Sequence, residues 1–337
     1  MFRQELQKIV KGHDLYEEEA TRVMDIIMNG EATEAQIGAF MAALATKGET
    51  FAELAGAARA MRRRAVRVQV TAKNVVDTCG TGGDSTGTFN ISTTAAFVAA
   101  GAGAVVAKHG NRSVTSKCGS ADVLEALGVN LSVPPELVEE AIAEIGIGFL
   151  FAPLYHGAMK HAAKPRKELG IRSIFNMLGP LTNPAGASCQ VLGVYSAHLT
   201  EMFAEALRLL GAKRVFVVHG KDGLDEISVC ADTRVTELCD NAVRTYEMTP
   251  EQLVGRRWEI SDLAGGDPAQ NAAVVREILS GKPGAKRDVV VVNAAAALVA
   301  SGLAREMCDG VKLAEKSIDT GAAQHKLERL AAFTQSA

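Results

Sequence analysis

The strongest constraint on the fold is a repeated texture, in which short valine-rich runs alternate with stretches of helical periodicity. Val75-Val76-Asp77, Val105-Val106-Ala107, Val191-Leu192-Gly193-Val194, Val215-Phe216-Val217-Val218 and Val289-Val290-Val291-Val292 are largely unbroken by polar residues. Strands of that kind are buried on both faces. The segments Thr93 to Ala100, Ala121 to Leu127, Thr200 to Leu210 and Ala294 to Ala300 read as helices. The alternation predicts an α/β architecture over residues 71–337, with a mostly parallel central sheet flanked by helices. Residues 1–70 read differently. Tyr16, Ala20, Val23, Met24 and Ile27 recur on one helical face, as do Ile37, Met41 and Leu44,. Thr33 with Gln36 and Thr50 with Glu53 form capping boxes, and Gly30 and Gly48 stand where helices end,. A small all-helical domain ahead of the larger one is expected, with a cleft between them as the natural ligand site.

Composition excludes several function classes. Net charge is -3 and the only basic run is Arg62-Arg63-Arg64, so nucleic acid is not an expected partner. The start, Met1-Phe2-Arg3-Gln4-Glu5, is polar, and no segment has the length and apolarity of a membrane span,. A cytoplasmic protein without membrane contact is expected. The six cysteines contain no C-x-x-C pair, which argues against a zinc knuckle or a disulfide framework. His156 and His161 are five apart and no H-E-x-x-H occurs, so zinc is not expected.

Chemistry concentrates just beyond the expected strands. The first runs into Asp77-Thr78-Cys79-Gly80-Thr81-Gly82-Gly83-Asp84-Ser85-Thr86-Gly87, and a helix follows Asn90-Ile91-Ser92-Thr93. Strand, glycine loop and helix N-terminus make an anion site, because glycines let backbone N–H groups approach a phosphate. No Gly-Lys-Ser/Thr follows the glycines, and position 85 is serine where a dinucleotide fingerprint starting at Gly80 needs glycine,. The next strand opens into Lys108-His109-Gly110-Asn111-Arg112-Ser113-Val114-Thr115-Ser116-Lys117-Cys118-Gly119-Ser120. Parallel geometry brings this second loop beside the first, and the pair can hold two phosphate groups. A third segment, His219-Gly220-Lys221-Asp222-Gly223-Leu224-Asp225-Glu226, sets adjacent carboxylates in a loop, where they can face one magnesium ion. A fourth, Lys164 to Arg172 and on to Pro184, could present a cationic fork to an organic carboxylate,.

Taken together, Gly80-Thr81-Gly82-Gly83-Asp84, Asn90-Ile91-Ser92-Thr93, Lys108-His109-Gly110-Asn111-Arg112, Gly119-Ser120-Ala121-Asp122, Arg166, Leu178-Gly179-Pro180-Leu181-Thr182-Asn183-Pro184 and Asp222-Gly223-Leu224-Asp225-Glu226 closely resemble the anthranilate phosphoribosyltransferases, over nearly the whole chain. That resemblance implies the fold of the class II nucleoside phosphorylase-like transferases, a homodimer through the helical domain, and a role in tryptophan synthesis. Helices from about 165–185 are expected to pack on the helical domain. The substrates implied are phosphoribosyl pyrophosphate (PRPP) and anthranilate. By resemblance, PRPP falls to Gly80, Gly83, Asp84, Thr88, Asn90, Ile91, Ser92, Thr93, Lys108, His109, Gly110, Asn111, Arg112, Ser113, Val114, Thr115, Ser116 and Ser120. Gly80, Asn111 and Arg166 fall to anthranilate. Two magnesium ions are implied, one at Ser92 and one at Asp225 with Glu226. Cys118 departs from the small polar residue usual at its position.

The reaction implied displaces pyrophosphate from ribose C1 by the anthranilate amine. Lys108, magnesium and the loop amides suit the leaving group electrostatically, and His109 is a candidate late proton acceptor. A pyrimidine nucleoside phosphorylase would share the fold but carry a different lysine- and serine-containing loop. A nucleic-acid-binding relative would need a basic groove that this acidic chain lacks.

Overall fold

The computed structural model describes residues 2–336, apart from Ser85 and 114–116. Its centre is a seven-stranded sheet: β1 (Val76–Gly80), β2 (Val106–Gly110), β3 (Ile147–Phe151), β4 (Cys189–Gly193), β5 (Arg214–Gly220), β6 (Thr233–Cys239) and β7 (Ala242–Met248). In space they run β3-β2-β1-β4-β5-β6-β7. The first five are mutually parallel and the last two antiparallel. β1, β2 and β3 each show four buried residues in a row, and β4 five, as strands covered on both faces must.

One expected strand is a helix. Val289 to Val292 lies inside the helix Ala285–Ala300, which is buried on all sides from Val289 to Ala300. Four valines favour a strand locally, but the buried run continues through Asn293 and Ala294-Ala295-Ala296-Ala297 to Ala300, twelve residues or about twice the usual strand, and alanine favours helix,. Three strands were not anticipated. β3 follows a helix, Pro135–Ile145, and β6 and β7 alternate partly in polarity because β7 is an edge. Asp240 and Asn241 turn this last hairpin with φ of 49° and 65°, the left-handed pair that a two-residue type I′ connection requires.

The amino-terminal region forms four helices, Phe2–Val10, Glu17–Met28, Glu34–Lys47 and Phe51–Arg64. Both capping boxes form: Thr33 accepts from the Gln36 amide at 3.2 Å and Thr50 from that of Glu53 at 3.2 Å. Glu53 is completely buried, accepting from the Leu15 amide at 2.9 Å and from Lys47 at 3.0 Å. These helices share one apolar core with Ala162, Phe175, Met177 and Leu181, and with Leu192, Val194, Val215 and Val217 on one sheet face. The other face packs against the Ile91–Gly101 and Ala285–Ala300 helices.

Candidate functional site

β1 and β4 are neighbours whose outgoing connections run in opposite directions across the sheet. At such a switch point the loops beyond the carboxyl ends diverge and leave a crevice. Gly80 ends β1 beside Gly193 of β4, and the turn after β5 folds over both. Gly223, at φ +92°, donates to the Gly220 carbonyl at 2.9 Å, and Gly220 donates to that of Leu224 at 2.8 Å. Gly193 has no space for a side chain, since a Cβ there would lie 1.5 Å from the Asp225 carbonyl oxygen. Close backbone approach of this sort is open only to glycine. It delivers Asp225 to the glycine loop, where Oδ2 accepts from the Gly82 amide at 3.0 Å. Glu226 accepts from the Ser92 amide at 3.1 Å, at the start of the Ile91–Gly101 helix. The following backbone is clamped by Asn293, which accepts from the Ile227 amide at 3.0 Å and donates to its carbonyl at 2.9 Å.

Two carboxylates are thereby crowded where water is scarce. Burial, then the charge of Asp84, pushes Asp225 up to about 8. Burial and the neighbouring Asp225 raise Glu226 well above the carboxylate range, against the pull of Lys108. Lys108 is 3% exposed on β2 and donates to the Thr78 carbonyl and, at 3.4 Å, to the Ser92 hydroxyl. Burial lowers its pKa, opposed by Asp77, Cys79 and Glu226. Asp77, pushed up to about 6 by burial, accepts from the His109 amide at 3.1 Å and from Asn183 at 2.8 Å. Asp77 and Asn183 were not singled out from sequence, although an aspartate within a valine run is a signal that it must be partnered.

The second loop does meet the first. Asn90 donates to the Cys118 carbonyl at 3.1 Å, and Gly110 leaves no room for a Cβ beside the Ser120 hydroxyl. Ser120 in turn donates to the Asn111 carbonyl at 3.2 Å. Arg112 behaves otherwise: its guanidinium forks onto Glu125 at 2.6 and 2.7 Å and reaches Asp122 at 3.1 Å. Those two acids raise its pKa and occupy the guanidinium. Ser113 donates its amide to Asp122 at 3.1 Å. Val114, Thr115 and Ser116 lie outside the described residues. Thr88 is half-buried and bridges to Ala264; Ile91 is buried; Thr93 is buried with no hydroxyl partner among the described residues. Thr86 donates to Asp84 by backbone and hydroxyl.

Arg166 is half-buried, stacks 5.5 Å from the Phe175 ring, and has no carboxylate partner among the described residues. Burial lowers its pKa. No contact joins it to Gly80 or Asn111 among the described residues. Arg172 lies nearer the loop, donating to the Gly83 carbonyl at 3.2 Å and stacking 3.8 Å from the Tyr195 ring. His109 is buried with Nδ1 at 3.2 Å from the Gly179 carbonyl and its ring 5.1 Å from that of His156. A carbonyl only accepts, so Nδ1 carries the proton and Nε2 is left as an acceptor with no partner among the described residues,. Burial and His156 depress its pKa to about 3, so the ring is neutral at pH 7.

A helical bundle set against an α/β sheet, with glycine-loop amides and paired acids at the switch point, defines a glycosyl transferase. The chain matches the description "Glycosyl transferase family, helical bundle domain" over residues 3–65 and "Glycosyl transferase family, a/b domain" over residues 72–324. Within that class it belongs to the anthranilate phosphoribosyltransferase family. It is 67% identical to the anthranilate phosphoribosyltransferase of Syntrophobacter fumaroxidans over 334 residues, 99% of either chain. The crystal structure of the Thermus thermophilus enzyme superposes with a TM-score of 0.93 at 45% identity, covering 98% of this chain and 99% of that one. The Saccharomyces cerevisiae enzyme in complex with PRPP and Mg superposes with a TM-score of 0.90 at 29% identity, covering 100% and 98%.

Proposed function

We propose that the chain transfers the phosphoribosyl group of PRPP to the amine of anthranilate, releasing pyrophosphate, as a step of tryptophan synthesis. The observation that carries this reading is the convergence of Gly82, Ser92, Lys108, Asp225 and Glu226 on one crevice, supported by full-length identity to enzymes of that name. We assign PRPP to the loops 80–93 and 108–120, and anthranilate to Gly80, Asn111 and Arg166. Arg166 fits a carboxylate because it is a half-buried guanidinium without an acid,.

Asp225 and Glu226 fit magnesium. They are hard oxygen donors, crowded together, with carboxyls driven upward by burial and by neighbouring acids,. We assign one ion to them and a second to Ser92. Magnesium would neutralise charge on the pyrophosphate. The chain's own part is to hold the donor by loop amides and to set Lys108 beside the leaving group as a fixed cation. The aromatic amine attacks in its neutral form. His109, a neutral acceptor at Nε2, is assigned to the amine hydrogen released late in the reaction, and the proton ends on the departing pyrophosphate or water because burial disfavours the charged ring,.

We further assign residues 1–70 as the helical domain, with helices from about 165–185 packed on it, and residues 71–337 as the phosphoribosyl-binding domain. Homodimerisation through the helical domain and a cytoplasmic location belong to the same proposal. No helix among the described residues is long and apolar enough to cross a membrane. The test is loss of anthranilate fluorescence on mixing the chain with PRPP, anthranilate and magnesium. No loss, or turnover undiminished when magnesium is chelated, defeats the reading.

A further inference from the structure

The turn Gly265-Gly266-Asp267-Pro268 is remote in sequence from every loop assigned above, yet it lies against the first of them. Gly265 donates to the Gly87 carbonyl at 2.9 Å, Phe89 donates to that of Leu263 at 3.3 Å, and a Cβ on Gly265 would fall 2.6 Å from the Phe89 nitrogen. The turn starts the helix Pro268–Leu279, with Asp267 capping Gln270 at 2.9 Å. In the first turn of that helix stands Asn271, 1% exposed, next to the core residues Ala272 and Val275. Asparagine is a poor helix former and costly to bury without partners. Here both ends of its amide are used. Oδ1 accepts from the Gly266 amide at 2.7 Å and Nδ2 donates to Asn90 Oδ1 at 3.0 Å.

Asn90 is the recipient that matters. It occupies the N-cap position of the Ile91–Gly101 helix, but its side chain makes no capping bond. Its amide instead spans two loops: Nδ2 donates to the Cys118 carbonyl at 3.1 Å, and Oδ1 accepts from Asn271 and, at 3.4 Å, from the Cys118 thiol. A flipped Asn90 amide would set two N–H groups against each other at Asn271 and two oxygens at Cys118, so only one orientation is satisfied. We propose that Asn271 is a positioning residue for the phosphoribosyl donor. By donating to Asn90 Oδ1 it fixes the amide that ties the glycine loop to the second anion loop, and so sets their separation. This rests on the reading that both loops hold PRPP.

Asn271→Asp keeps the size and the acceptor for Gly266 but has no hydrogen for Asn90. We expect the KM for PRPP to rise about tenfold, the cost of losing one buried hydrogen bond, with the KM for anthranilate unchanged within about twofold. In an Asn90→Ala background the same substitution should change the PRPP KM by less than about twofold, because a residue acting through another loses its effect when that other is gone. Asn271→Ala, uncharged and without a side-chain donor, is the second variant if the aspartate does not fold, and the same pattern is expected. A PRPP KM at the wild-type value, an equal rise for both substrates, or an undiminished effect in the Asn90→Ala background overturns the inference. A wild-type chain that consumes neither substrate overturns the donor reading as well; an active wild type with unaltered variants overturns this inference alone.

Discussion

A carboxylate on β6 and a pair in the turn after β5 have opposite surroundings. Glu237, on β6 and 1% exposed, is surrounded by donors: Arg214 at 3.1 Å, Arg244 at 2.6 Å and the Tyr246 hydroxyl at 3.0 Å. Glu226, 8% exposed beside Asp225, accepts the Ser92 amide and feels the charges of Asp225 and Asp84, against which Lys108 pulls. A buried carboxylate ringed by cations is finished within the chain. A pair of carboxylates kept together without them stores repulsion that an added cation relieves. We therefore assign the first to stability and propose the second for ligand binding.

Removing the charge from each group is the sharpest way to break the contrast. Asp225→Asn with Glu226→Gln should lower kcat by about 100-fold and shift the magnesium requirement upward, with the melting temperature unchanged or higher. A wild-type rate-against-magnesium profile at saturating PRPP would make these acids an ordinary turn. Arg166 is the same situation with the sign reversed, a half-buried cation lacking an acid among the described residues. Arg166→Ala should raise the anthranilate KM about tenfold and the PRPP KM much less; the reverse order in steady-state kinetics moves Arg166 to the phosphate side. Glu237→Gln should leave KM values intact and cost about 2 kcal/mol of stability in denaturant unfolding, since two guanidiniums lose their counter-charge. Lost activity at full stability would erase the distinction.

The smallest expected effect is a slope. Asp225 titrates near 8 when folded and near 4 when unfolded, and Glu226 is raised likewise,. The folded state therefore binds more protons between those values, and stability falls as pH rises through them. His109 and His156, depressed to about 3 and 4, oppose this only below their unfolded value of about 6.5. From about pH 6.5 to 8, then, the melting temperature in chelator should decline, and magnesium or Asp225→Asn should flatten the decline. A level profile without magnesium would show that the acids are relieved by something else.

The capping boxes and the strand-to-glycine-loop passages were legible because each depends on a few consecutive residues. The glycine loop is one such passage; Thr50 with Glu53 is another. Val289 to Val292 misled because four residues of local preference cannot report the twelve-residue burial that selects a helix. Arg112 stands in a loop as its sequence position implies, yet its partner is Glu125, thirteen residues on. Asp77, Asn183, Arg172 and Asn271 receive no individual role from sequence because each acts on a partner about 30 to 180 residues away in the chain.

Sequence by itself determined the kinds of group available: glycines that admit a phosphate, acids that suit a hard cation, and apolar runs that demand burial. Those are properties of residues and near neighbours, carried by covalent spacing. Which groups share a crevice was decided only by the tertiary structure. Sheet order sets β1 against β4, and two glycines without room for a Cβ let the turn after β5 descend on both, so that Asp225 meets Gly82 across 143 positions of chain. Contacts of that separation depend on strand order and close packing, which no local pattern encodes.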